Sequence, residues 1–188
     1  MPDPIQLAIS ALVDHLRANV PELGGKVAKG WPDPEKEIPL PSASVSHGDA
    51  DRIGHDAAEV LRVPVPGSAV LVDVTYAVGD YTVPVQIDLW ATKQSARGEI
   101  GDLVRALFTD PEVGDDLRLV LDQYADQLAT FQIEDWRDTN DADSAKRGEW
   151  RQTINLTLEV PEVSTKRQSL LLTADATVDV YNADEIMT

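Results

Sequence analysis

The sequence contains no cysteine. Disulfides, thiolate nucleophiles and cysteine-based zinc sites are therefore excluded, and a reducing compartment is compatible with the chain. Histidine occurs three times, and aromatic residues make up only 5% of the sequence. Basic residues are scarce as well: 16 lysines and arginines stand against 33 acids, a formal charge of −17. Such a surface lacks the cationic footprint that phosphate neutralisation requires, although DNA could slide past it without adhering. No apolar run approaches the ~20 residues of a membrane span. The opening Met1-Pro2-Asp3-Pro4 has neither the basic nor the apolar region of a secretory signal, so a soluble, non-secreted protein is expected. Catalytic signatures are missing too. There is no Gly-x-Ser-x-Gly elbow, no phosphate-binding loop and no Gly-x-Gly-x-x-Gly after a strand. These absences point to a non-enzymatic protein that needs no cofactor.

What is present is a patterned core. With 188 residues, 43% of them hydrophobic, the chain can bury a core of its own. Ile5, Ile9, Leu12, Val13, Leu16 and Val20 make one apolar stripe at helical spacing, with Pro4 in the first turn and Pro21 and Gly24-Gly25 as the stop. His15 falls at the edge of that stripe. Gly30–Ser44 is rich in proline and extended, with a short strand at Ala43–Ser46. Residues 47–60 read as an acidic loop, or a short helix through Asp56–Leu61, before a break at Pro64–Gly67. From Ser68 to Phe108 the pattern predicts strand, tight turn at Gly79-Asp80, strand and amphipathic helix. Val70 to Val78 and then Val83 to Leu89 alternate, and Ile100, Leu103, Val104, Leu107 and Phe108 recur at helical spacing. Pro84 lacks a ladder donor and favours an edge or a bulge. Gly114–Asp122 holds a strand around Leu117–Leu121 or a helical turn, and further strands are expected over Ala129–Trp136 with Phe131, Ile133 and Asp135 on one side, and from Trp150 to Val160. Leu170–Tyr181 alternates again, as a last strand or as an arm reaching a neighbouring subunit. The sum is an α+β fold: a mostly antiparallel or mixed sheet of about five or six strands with two main helices on one face. Residues 1–161 form one domain in this reading, and 162–188 a C-terminal strand or arm.

Two acidic groups invite a metal. His47, Asp49, Asp51, His55 and Asp56 share one loop, and Asp138, Asn140, Asp141 and Asp143 share another. Neither has the ligand spacing of a calcium-binding loop, and both read more simply as solvated loops. A metal-dependent enzyme built on His47–Asp56 is the alternative function from this region. Arginine and tryptophan, residues enriched at binding hot spots, recur in two places. Trp90 shares a strand face with Gln86 and Asp88, and Trp150-Arg151 open the long strand after Lys146-Arg147. The candidate subunit or partner contacts are Lys93, Arg97, Arg105, Lys146, Arg147, Trp150 and Arg151.

The order of elements resembles the tail terminator (tail completion) proteins of tailed bacteriophages. The resemblance runs from the first helix through Gln86–Phe108, QIDLWATKQSARGEIGDLVRALF, to Arg147–Val160, RGEWRQTINLTLEV. In that family an N-terminal helix precedes a proline-bearing segment and a hairpin. The second strand of the hairpin ends near a tryptophan, as at Trp90, and leads into a helix. The acidic stretch Ser46–Asp56 and the tail Glu162–Thr188 depart from the pattern. The resemblance implies a homo-oligomeric ring, usually a hexamer, that caps the head-proximal end of the tail tube and stops its polymerisation. Its partners would be the tail tube protein and a head-completion or neck protein, with DNA passing through the lumen. Its place would be the virion, after assembly in the host cytoplasm. Another head–tail connector or minor tail protein is the nearest alternative. The family carries no catalytic residues, cofactor or metal.

Overall fold

The computed structural model describes residues 3–30, 39–68, 71–108, 116–121, 127–139 and 150–169. They form α1 (Pro4–Asn19), a 3₁₀ turn (Pro21–Leu23), β1 (Val27–Lys29), β2 (Ser42–His47), β3 (Asp51–Pro64), β4 (Leu71–Ala91), α2 (Gln94–Leu107), β5 (Asp116–Leu121), β6 (Gln127–Asp138) and β7 (Trp150–Ser169). The chain divides into two compact units, one comprising Met1–Ile53 with Asp80–Pro161, the other Gly54–Gly79 with Glu162–Thr188. The long strands β4 and β7 contribute residues to both.

In the first unit, α1 begins where expected. The Asp3 carboxylate caps it by accepting from the Ile5 amide at 2.9 Å, and Pro4 occupies a position that needs no donor. Its buried residues Ala8, Ile9, Leu12, Val13 and Leu16 pack toward β1, β2 and β5. The sheet runs β1-β2-β4-β7-β6-β5, with β3 also paired to β4. It is mixed because β1 lies parallel to β2, whereas β2–β4, β5–β6 and β6–β7 are antiparallel. Register fixes the faces. Val45 lies opposite Ile87, Phe131 opposite Leu158 and opposite Leu117, and Trp136 opposite Ile154. These residues line the apolar face. Both helices lie on it: Gln6 of α1 touches His47, and Gly101 of α2 abuts Gln152 and Trp136. The reverse face carries Ser44, Asp88, Thr153 and Arg137.

The expected helices are therefore present, together on one side, but among the described residues the sheet has seven strands rather than five or six. β1 is only three residues long, too short for alternation to reveal. β3 occupies the stretch expected to be a loop or short helix. The turn expected at Gly79-Asp80 does not exist, because β4 runs straight through it. The chain reverses instead at Val65–Ser68, in the second unit. There Pro66 and Gly67 fill the middle of a type II turn, Gly67 has φ +79°, and Ser68 N–H reaches the Val65 carbonyl at 3.1 Å. β6 contains a bulge between Ile133 and Asp135, so Trp136 rather than Asp135 follows Ile133 on the apolar face. On α2 the buried set is Arg97, Ile100, Gly101 and Val104, whereas Leu103 is 39% exposed. Pro84 is in an interior strand, yet its missing N–H costs nothing. It sits just past the last β2 pair, where Gly48 N–H donates to the Pro84 carbonyl at 2.9 Å.

The second unit holds β3, the first part of β4 and the last part of β7. Val72, Val74, Thr75, Gly79 and Val163 are buried among its described residues. Thr75 and Thr165 share a hydroxyl contact at 3.0 Å, and Arg167 grips Asp73 through both carboxylate oxygens at 2.9 and 3.1 Å. The Arg167 hydrogen bond holds the Asp73 carboxyl below its usual range. Every described side chain of β3 is exposed. The expected strand Leu170–Tyr181 lies outside the described residues.

Candidate functional site

Two groups of polar side chains stand at the end of β4 and β7 near Trp90, both within the first unit. On the helix-free face, Asp88 is fully buried in the middle of a strand. Its Oδ1 accepts from Thr153 Oγ1 at 2.6 Å and from Arg151 Nε and Nη2 at 3.0 and 2.9 Å, and its Oδ2 accepts from Gln86 Nε2 at 2.7 Å. A buried carboxylate is tolerable only with such a set of donors. The Arg151 guanidinium also lies over the Trp90 ring, 5.8 Å from its centroid.

On the apolar face, α2 brings Arg97 into the same end of the sheet. Its Nη2 donates to Asp138 Oδ2 at 2.9 Å, and its guanidinium lies 6.0 Å from the centroid of Trp150. Gln152 Nε2 reaches the other Asp138 oxygen at 3.3 Å. Arg97 Nε and Nη1 and Gln152 Oε1 are buried without a partner. Gly101 gives Gln152 its room here, because a Cβ on that residue would overlap Gln152 Oε1 and press on the Trp136 ring, so that the glutamine would have to move.

The sequence candidates thus divide. Arg97 with Trp150, and Arg151 with Trp90, form two arginine–tryptophan pairs inside the chain. Lys93 is exposed at the cap position of α2, and Arg105 is exposed in its last turn. Lys146 and Arg147 lie outside the described residues, as do Asn140, Asp141 and Asp143. Asp138, read from the sequence as part of an acidic loop, stands instead at the end of β6 on Arg97, and Thr153, which completes the other network, was not among the candidates. The signal for Asp88 was visible, since a carboxylate between Ile87 and Leu89 in a strand needs buried donors.

The expected acidic loop is divided: 48–50 connect β2 to β3, and Asp51 onward belongs to β3 itself. His47 Nδ1 faces the Gly48 carbonyl at 2.9 Å and its Nε2 faces Gln6 Nε2 at 3.0 Å. Among the described residues, no three histidine or acidic side chains gather as a metal would require.

A hollow of about 400 Å³ lies at the opposite end of the first unit's sheet, beside Pro84. Pro84 contributes an apolar surface, Gln86, Asn155, Thr157 and Glu134 contribute polar groups, and Val85 and Leu156 border it while keeping their side chains buried. Glu134 is the extra residue of the β6 bulge and is exposed. Its neighbour Asp135 is engaged by Arg137 at 3.5 Å and by Asn155 at 3.4 Å.

No family model and no curated protein matches the chain. Among solved structures, the chain is similar to one from the "Virion of native gene transfer agent (GTA) particle", with a TM-score of 0.43 and 11% identity over 86% of this chain and 100% of the other. No helix among the described residues is long and apolar enough to cross a membrane.

Proposed function

We propose that this chain is a structural virion protein that assembles as a ring, capping the head-proximal end of a phage-type tail tube and joining it to the neck. The observation that carries the reading is β3. This strand of 14 residues has exposed side chains at every described position, with Ile53, Leu61 and Val63 among them at 64%, 40% and 47%. A long strand that buries so little of itself is a template for pairing with another chain, and lone proteins normally avoid one. The order of elements supports the terminator reading in particular. A hairpin's second strand ends at Trp90-Ala91 and leads through two residues into α2, as in the family the sequence resembles.

Charge supports the same reading. A net charge of −17 per copy would give a multimeric conduit a wall that repels DNA and lets it pass. Lys93, Arg97, Arg105, Lys146, Arg147, Trp150 and Arg151 remain the proposed contacts with sister copies, tube and neck proteins. Arg97, Trp150 and Arg151 would act there by shaping the surface, since their charges and rings are already engaged within the chain. Sedimentation velocity and negative-stain microscopy of the purified chain, alone and with tail tube protein, test the proposal. Closed rings that shorten or cap tubes are the expected result. A strict monomer that leaves tube length unchanged refutes it.

A further inference from the structure

We propose that the hollow beside Pro84 is the acceptor half of a head-to-tail contact, and that it takes a lysine side chain from a second copy of this chain. The proposal rests on the assembly reading above. Its first support is the chemistry of the hollow. Glu134 has no ion pair among the described residues, although acidic neighbours such as Asp135 are engaged. Exposed Pro84 offers an apolar surface beside Glu134, Asn155 and Thr157. A long side chain with an aliphatic stem and a cationic head matches that combination, the stem against the proline ring and the head on the carboxylate. The bulge supplies the reason for the aim, since the inserted residue brings Glu134 beside Asp135 instead of alternating away from it.

The second support is the place of the donors. Lys26 and Lys93 are exposed, and neither has an ion pair among the described residues. Both lie at the other end of the same sheet. The Lys26 carbonyl accepts from Ala43, which pairs with Leu89, and Lys93 follows two residues after Ala91. Seven residues of extended strand separate Pro84 from Ala91, roughly 23 Å at the usual rise. A lysine at the Trp90 end therefore cannot reach the hollow of its own chain. The two patches differ, so the contact between copies is heterologous, the type that generates rings when its rotation closes. It also gives strongly acidic copies one attractive meeting point.

The test uses the full chain at concentrations where the wild type self-associates, alone or with tube protein. Glu134→Lys should weaken assembly at least tenfold by sedimentation velocity. Lys26→Glu with Lys93→Glu should do the same, and all three changes together should restore it. All are exposed positions, and an unchanged urea midpoint shows that each variant is folded. Carbodiimide coupling of the wild-type assembly should join Glu134 to Lys26 or Lys93 of another copy, read by mass spectrometry. Rings that form equally well with Glu134→Lys, or that yield no such cross-link, overturn this contact and leave the ring itself standing. A chain that stays monomeric even with tube protein overturns both.

Discussion

Removing the Asp88 carboxylate should be among the most damaging single changes in the first unit. Asp88→Ala removes the buried acceptor shared by three side chains: the Thr153 hydroxyl, the Gln86 amide and the Arg151 guanidinium, whose side chain is only 28% exposed. Breaking a buried ion pair by deleting one partner typically costs ~3–5 kcal/mol, because the remaining charge loses its compensation. For a chain of this length each kcal/mol moves the melting temperature by ~2–4 °C, so a fall on the order of 10 °C is expected. Asp88→Asn keeps the shape and an acceptor for Thr153 but loses the charge, and it should cost less than the alanine. Thr153→Val deletes one 2.6 Å hydrogen bond and should cost about 1–3 kcal/mol. In the Asp88→Ala background, Arg151→Met should recover part of the loss, since it removes a cation that has lost its buried carboxylate while keeping a stem to lie against Trp90. Urea denaturation of the four variants, with unchanged slopes, measures each step. An Asp88→Ala loss below about 1 kcal/mol would refute the claim that this network is desolvated and holds β4 to β7.

Other consequences follow from the same geometry. Leu16→Ala, at a fully buried position of α1, should cost ~2–5 kcal/mol by urea denaturation. Gly101→Ala should destabilise the chain despite the gain in helix propensity, because its Cβ overlaps Gln152 Oε1, and Gln152→Ser should relieve that overlap in the double variant. Burial lowers the pKa of His15 below its usual 6.5, so the folded state holds that ring neutral where the unfolded chain protonates it. Stability is therefore complete above about 6.5 and declines as the pH falls below it, and His15→Gln should flatten that limb of a stability–pH curve. The carboxyl of Asp73 is likewise held below its usual 3.8 by Arg167, so its contribution is present above that value and disappears only on stronger acidification. Arg167→Met should remove this later step and leave the His15 step intact.

The helices and most strands were legible because each buries one face at a fixed period, and the period survives in the residues. α1 is the clearest case: its stripe, its proline start and its stop all fall where the apolar pattern put them. The strands near Ala129 and Trp150 were found by the same alternation, and each extends somewhat further than the pattern. β3 was invisible for the opposite reason. A strand exposed on both faces has no period, so Asp51–Pro64 reads as an acidic loop, and only the Pro66-Gly67 turn marks it as half of a hairpin. The false turn at Gly79-Asp80 has a sharper explanation. Before it the buried hydrophobic residues of β4, Val72 and Val74, are even-numbered, and after it Val83, Val85, Ile87 and Leu89 are odd-numbered. A change of phase beside a glycine looks like a reversal of direction, but here it falls at the boundary between the two compact units. β7 behaves alike: Ile154 to Val160 bury even positions, the boundary follows Pro161, and the next buried residue is Val163. One strand can therefore serve two cores without turning, and the residue pattern records the exchange as a slip of one position. The arginine–tryptophan pairs were legible as residue types and not as partners. Arg97 and Trp150 are far apart in sequence, and only the packing of α2 on the apolar face brings them together. Glu134 carried no signal at all, because a bulge is invisible until the register on either side of it is known.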